Sequence, residues 1–278
     1  MANLIVRFPG GLSKALTLSY DDGVEQDKKL IELAKKYGIK GTFNLNSGCY
    51  PPEGTIYAPG TIHRRMCESE VTKVYSESGW EVASHGYTHP SLVGLPLNIA
   101  TKEILKDRKF LENQFGTIVR GFAYPFGAFD DDAVMALKSC GMAYARTVIS
   151  THDFRIPGDW LRLGATCHHN DPELMSLANK FLDAPVYWDS KLFYLWGHSY
   201  EFEEKDNWNV IEDFFKLMGG RDDIWYATNI EIYDYTEAFK QLIFNVDMDT
   251  CVNPTAYDIW FTYRDRDYMV KAGGTITI

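Results

Sequence analysis

No stretch of this 278-residue chain is apolar over the ~18 residues that a transmembrane helix needs, so no membrane span is expected. The opening segment, Met1 to Pro9, lacks a basic start, a long apolar core and a small-residue cleavage site. No secretion signal is read there, and a cytoplasmic location is the expectation. Cysteine is sparse and unpatterned: Cys49, Cys67, Cys140, Cys167 and Cys251 are odd in number and never spaced Cys-x-x-Cys. That argues against a disulfide framework or a thiolate zinc site and for reduced thiols. Excess positive charge is absent too, since the formal net charge is −10, which disfavours nucleic acid and other polyanions as partners. There is no low-complexity tract, linker or short-period repeat, and nothing speaks to oligomeric state. Seven Trp and 17 Tyr would suit a sugar-stacking surface, although such residues more often fill cores.

What the chain does have is alternation. Strand-like apolar runs lie near 16–20, 42–45, 80–84, 120–124, 143–148, 161–167, 192–197 and 224–230. Between them fall helix-like segments at Asp27–Tyr37, Glu68–Ser78, Thr101–Phe115, Asp130–Cys140, Pro172–Leu182 and Asn209–Met218, most of them closed by glycine. In Pro172–Leu182, for example, Leu174, Leu177, Ala178 and Phe181 fall at i, i+3, i+4 and i+7. Seven or eight β/α units of this kind predict an α/β fold, a complete or distorted β/α barrel over residues 1–244. The tail, 245–278, reads as strand and turn, a small β-rich extension packed on the barrel.

Two short motifs carry chemistry. Asp21-Asp22-Gly23 ends the run Leu16 to Tyr20, and two adjacent carboxylates at a strand end call for a positive partner, usually a metal ion. Ser84-His85-Gly86-Tyr87-Thr88-His89 places two imidazoles four residues apart after another strand-like run. Each motif alone is weak, because Asp-Asp-Gly also makes ordinary turns and His-x-x-x-His arises by chance. Together they offer one carboxylate and two histidines, a facial ligand set with open positions for water and substrate. A barrel gathers its active-site residues at the carboxyl ends of its strands. Asp21, Asp22, His85 and His89 obey that rule, as do His198 after Leu192–Gly197 and the turn Tyr124-Pro125-Phe126-Gly127.

In this order the motifs resemble those of the polysaccharide deacetylase family, the NodB-homology domains of carbohydrate esterase family four, over roughly residues 12–235. The resemblance implies removal of N- or O-linked acetyl groups from a carbohydrate; with no signal peptide or separate binding module read in the sequence, an acetylated mono- or oligosaccharide is the expected substrate. It makes Asp21 the catalytic base and Asp22, His85 and His89 the ligands of one divalent ion, zinc first, with cobalt, manganese or nickel acceptable. Trp196-Gly197-His198 matches the family's Leu-x-His and makes His198 the catalytic acid. Ala123-Tyr124-Pro125-Phe126-Gly127 matches Arg-x-Pro-x-Gly without its Arg, and implies an oxyanion donor at the Phe126 N–H. Tyr124, Pro125, Trp160 (from an Asp159-Trp160 match) and Trp196 are expected to line the substrate site. These departures suggest a divergent subgroup.

The missing arginine leaves the base without a cation to orient it. Arg146, at the end of the next strand-like run, is the expected substitute, ahead of Arg162. His168 and His169, consecutive on a strand, should point to opposite faces and share no ion, one at the pocket mouth and one structural. His63 and His152 read as surface residues. Two other functions stay open at this point: a cytoplasmic cyclic-amide or ureide hydrolase on the same barrel, and a non-catalytic carbohydrate-binding relic motivated by the lost Arg.

Overall fold

Alternation within Leu16-Thr17-Leu18-Ser19-Tyr20-Asp21 decides how the first barrel strand sits, because successive side chains of a strand face opposite ways. The computed structural model describes residues 4–278. Its strands are β1 (Leu4–Arg7), β2 (Lys14–Asp21), β3 (Thr42–Leu45), β4 (Glu81–Ser84), β5 (Gly121–Ala123), β6 (Tyr144–Ser150), β7 (Leu163–Ala165), β8 (Cys167–His168), β9 (Lys191–Gly197) and β10 (Ile224–Tyr226). Leu16, Leu18 and Tyr20 of β2 face outward into a core shared with Leu30, Ile31, Phe214 and Phe215 of the surrounding helices. Burying each such side chain contributes roughly 1.5–3 kcal/mol. Thr17, Ser19 and Asp21 face the barrel interior, where Thr17 donates to Asn229 at 2.8 Å and Asn44 donates to both Ser19 and Asp21 at 2.8 Å.

The parallel sheet runs β7-β6-β5-β4-β3-β2-β9-β8, with β10 on the opening half of β2 at Lys14–Leu16. Its two ends belong to one stretch of chain. Residues 163–165 pair with β6 and 167–168 with β9, so the kinked segment nearly closes the barrel. The α/β barrel read from the alternation is the fold observed, with small antiparallel sheets added at the C-terminus.

Three details differ from the sequence reading. The run 161–167 splits at Thr166, whose N–H donates to the Tyr194 carbonyl at 2.8 Å. The run 224–230 is a strand only to Tyr226, because Thr228 and Glu231 form a reciprocal capping box that starts helix Asn229–Phe239. Helix Leu97–Phe115 begins before Thr101, directly after Pro96. In the tail, Ile259–Tyr263 pairs with both β1 and Arg266–Val270, while Thr250–Val252 pairs with Ile243–Phe244 and Thr275–Thr277. Cys251, Ile259, Phe261 and Val270 share a core with Phe8, Ala15 and Tyr235. No helix of the described residues is long and apolar enough to cross a membrane.

Candidate active site

Asp21 is the last residue of β2, and its carboxylate looks into the barrel mouth, 2% exposed. Arg146 Nη2 donates to Oδ2 of that carboxylate and Asn44 Nδ2 to Oδ1 at 2.8 Å. The register explains the first contact: Arg146 on β6 sits directly beside Ala123 on β5, so the cation is supplied one strand over from the position that lacks it. Its guanidinium also lies 4.5 Å from the Trp196 ring centre, a cation–π contact that fixes the fork. Burial alone would push the Asp21 carboxyl up; Arg146, helped by His85 and His198, outweighs it and holds the group below its ordinary value.

Beyond β2 the chain turns sharply. Asp22 adopts φ 82°, an unusual conformation for a residue with a Cβ, and its N–H donates to the Asn44 carbonyl at 3.1 Å. Its two carboxylate oxygens meet Arg65 Nη2 at 2.5 Å and His63 Nε2 at 3.1 Å. Burial raises its pKa, but the His63 hydrogen bond and the Arg65 charge prevail and keep it well below the usual carboxylate range. His63 is exposed, as the surface reading has it, but its ring also reaches Asp22, a contact that no motif announces. His63 and Arg65 lie on the long connection after β3, where no periodicity signals which side chain turns inward.

His85 follows β4, with its N–H on the Leu45 carbonyl at 2.8 Å. Its Nδ1 lies 2.7 Å from the Ala123 carbonyl, so the ring proton sits there and the Nε2 lone pair points into the mouth. That nitrogen faces His89 Nε2 at 3.1 Å. Burial pulls the His85 pKa down to about 4 and lowers that of His89, leaving both neutral near pH 7. Ligand atoms of Asp22, His85 and His89 all lie within 4.8 Å of one another. Two neutral imidazoles and a carboxylate held ionised are a donor set of borderline softness, which fits a divalent ion of the zinc class.

The supporting shell was not read from the sequence. Buried Asp107 accepts from Ser47 N and Oγ at 2.8 and 2.6 Å, from Ser84 Oγ at 2.5 Å and from His85 N at 3.3 Å, which fixes the end of β4. Ser84 Oγ also accepts from Gly86 N at 3.3 Å, so a hydroxyl just before the histidine braces the loop although position 86 is glycine. Asn44 did carry a signal, a lone amide within Thr42-Phe43-Asn44-Leu45.

Across the mouth, His198 follows β9, and its Nε2 stands 3.8 Å from Asp21 Oδ2. Burial works against its charge, but the Glu201 hydrogen bond and the Asp21 and Asp22 charges win, so its pKa is raised. Phe126, at φ 60° in the turn after β5, is 69% exposed and sets its ring edge-on to His89 at 4.6 Å. Pro125 is buried beneath it. Trp196 lies between Arg146 and His168, 4.5 Å from each.

Other expected lining residues do not reach the mouth. Trp160 packs edge-on against Tyr233 at 5.3 Å, in the core beneath the tail, because its short helical turn directs the ring away from the barrel axis. Asp159 accepts from Leu161 N and pairs with Arg162, which also binds Asp131. The Tyr124 side chain is 1% exposed, stacks on Phe129 and donates to the Leu161 carbonyl at 2.9 Å, so it is a core residue. His152 stays at the surface, 2.7 Å from Asp171. His168 and His169 were expected on opposite faces, yet their rings lie 4.4 Å apart. β8 ends at His168, so strand alternation no longer applies to the next residue.

A family model described as polysaccharide deacetylase matches residues 10–145. Over 145 residues the chain is 23% identical to the peptidoglycan-N-acetylglucosamine deacetylase PgdA of Listeria monocytogenes, a match that covers 51% of this chain and only 27% of that protein. A putative polysaccharide deacetylase from Mycobacterium smegmatis shares the fold with a TM-score of 0.62 at 18% identity, covering 84% of this chain and 94% of that one. A carbohydrate-esterase domain of a multidomain xylanase from the hindgut metagenome of Trinervitermes trinervoides superposes with a TM-score of 0.52 at 17% identity, covering 81% and 92%. At these identities the structural likeness speaks to fold alone.

Proposed function

Because residues 10–145 place this chain in the polysaccharide deacetylase family, we propose that it is a metal-dependent hydrolase removing N- or O-linked acetyl groups from a carbohydrate. The observation that carries the reading is the pairing of opposite protonation states across one mouth. Asp21 is held ionised by Arg146, and His198, 3.8 Å away, has a raised pKa. A proton acceptor beside a proton donor is what amide or ester hydrolysis requires.

Asp22, His85 and His89 would hold one divalent ion, zinc first, with cobalt, manganese or nickel acceptable. When bound, the ion supplies Lewis acidity at the acetyl carbonyl and lowers the pKa of the attacking water. Asp21 takes the proton from that water, and Arg146 and Asn44 keep its carboxylate aimed while it does so. The Phe126 N–H, at the tight turn after β5, donates to the developing oxyanion. His198 then delivers the Nε2 proton to the leaving nitrogen or oxygen, a step that an amine leaving group needs and an activated phenol hardly does. The exposed Phe126 ring offers a face for a sugar. The contact between Arg146 and Asp21 removes the motive for a non-catalytic relic, since the base keeps its cation.

The test is acetate release by protein loaded with Zn²⁺ or Co²⁺, on chito-oligomers, acetylated xylo-oligomers and allantoin-like cyclic amides. Release from a sugar substrate, together with loss of both metal content and activity in His85→Ala, is expected. Turnover of the cyclic amides alone, or full metal content in His85→Ala protein, would overturn the reading.

A further inference from the structure

We infer that Glu201 is the positioning residue of the acid His198, and that the segment Cys167-His168-His169-Asn170 exists to clamp Glu201. The inference rests on the deacetylase reading for its kinetic consequence, though not for its geometry. Glu201 lies one turn beyond His198, in the short helix Tyr200–Glu204, and its Oε1 is 3.0 Å from His198 Nδ1. That contact puts a proton on Nδ1 and aims Nε2 at the mouth, 3.8 Å from Asp21 Oδ2.

The other oxygen, Oε2, is gripped from the neighbouring strand. Asn170 Nδ2 donates to it, His169 Nε2 stands 3.0 Å away and His168 Nε2 3.5 Å away. His169 is wholly buried, stacked on Phe202 at 4.1 Å. Its ring fills the space that Gly197 leaves open, for a Cβ on Gly197 would stand 1.9 Å from His169 Nδ1. The glycine between Trp196 and His198 thus makes room for the clamp.

A second metal ion is the rival reading, because ligand atoms of His168, His198 and Glu201 lie within 4.8 Å of one another. The tautomer of His168 argues against it. Asn170 N–H donates to His168 Nδ1 at 3.1 Å, so the ring proton sits on Nε2, facing Glu201, with no lone pair there for an ion. Hydrogen bonds from Asn170 and His198, with the His168 and His169 rings packed close beside Oε2, hold one carboxylate in place instead. The charged or titratable groups around His198 are Tyr200 and Glu201 in the helix that follows it, Asp21 at the end of β2 with Asp22 just beyond, and His168 on β8 with His169 next to it.

The experiment compares E201Q with wild type, both as metal-loaded protein, on an N-acetylated chito-oligomer and on an aryl acetate. Glutamine removes the charge and presents an amide to His198. The chito-oligomer rate should fall ~10²-fold or more, the aryl acetate rate by less than ~5-fold, and the basic limb of kcat should move to lower pH. E201D, which restores the charge, should recover part of the amide rate. H169A, which removes one wall of the clamp, should reproduce the same selective loss in weaker form. Equal losses on both substrates, or an unmoved basic limb, would overturn the inference. So would a second bound ion in wild type that E201Q lacks. Failure of the deacetylase reading would look different, as wild type releasing no acetate from any sugar.

Discussion

Asp21 and Asp27 are both buried carboxyls, six residues apart on either side of the turn that follows β2, and the fold lowers the pKa of one and raises that of the other. Asp21, in the barrel mouth, meets Arg146 and is held below its ordinary pKa. Asp27, behind β2 at the start of helix Asp27–Lys36, meets only neutral donors: Ser199 Oγ at 2.6 Å, Tyr75 Oη at 2.5 Å and Val24 N at 3.2 Å. Burial outweighs those bonds and pushes its pKa up to about 7. Burial by itself therefore does not set the state of an acid in this molecule. The deciding factor is whether a guanidinium is delivered to the same pocket.

The contrast can be broken from either side. Asp21→Asn should have the largest effect, a loss of turnover of ~10³-fold or more, because an amide cannot accept the water's proton. Metal content, measured by atomic emission after dialysis, should be unchanged in that variant; a protein that lost its metal would assign Asp21 to the ligand set.

Arg146→Ala comes next and should make Asp21 behave more like Asp27. Without the cation, burial raises the Asp21 pKa, so the carboxylate ionises later as pH rises and the acidic limb of kcat moves up. A fall of ~10²-fold near neutral pH is expected, with metal binding retained. An unmoved pH profile would return Arg146 to a purely structural role.

Asp27→Asn probes the other side. A carboxyl whose pKa rises from 3.8 unfolded to about 7 folded binds its proton more tightly in the folded state across that window. Stability from this residue is therefore full below 3.8 and falls as pH climbs to about 7, by on the order of 4 kcal/mol. Replacing it with asparagine should remove that slope, so that the variant gains on wild type as pH increases. Denaturant melts between acid and neutral pH would read this directly, and parallel wild-type and variant curves would contradict it.

The smallest effect serves as a control away from both carboxyls. Thr228→Ala removes one half of the capping box on helix Asn229–Phe239 and should cost about 1 kcal/mol at every pH. A pH-dependent cost there would mean that the slope attributed to Asp27 arises elsewhere, for instance at Glu81, which accepts from Ile230 N in the first turn of the same helix at 2.9 Å.

What the amino-acid sequence determined by itself is whatever lies close along the chain. The barrel class follows from local periodicity, because period-two and period-3.6 patterns are set by backbone geometry before any tertiary contact forms. Asp21, Asp22, His85 and His89 were legible because each pair lies within five residues at a strand end, where a parallel barrel must direct them to one rim. Arg146 was legible for a related reason: a vacancy at Ala123 points to the same level of the adjacent strand, and the two are register partners. Only the tertiary structure decided the rest. His63 and Arg65 reach Asp22 from an aperiodic loop, Trp160 turns into the tail's core, and His168, His169 and Asn170 meet Glu201 across two strands' ends. In loops, and where a strand stops, no repeating geometry ties a residue's number to its direction. Packing alone then chooses which side chains converge.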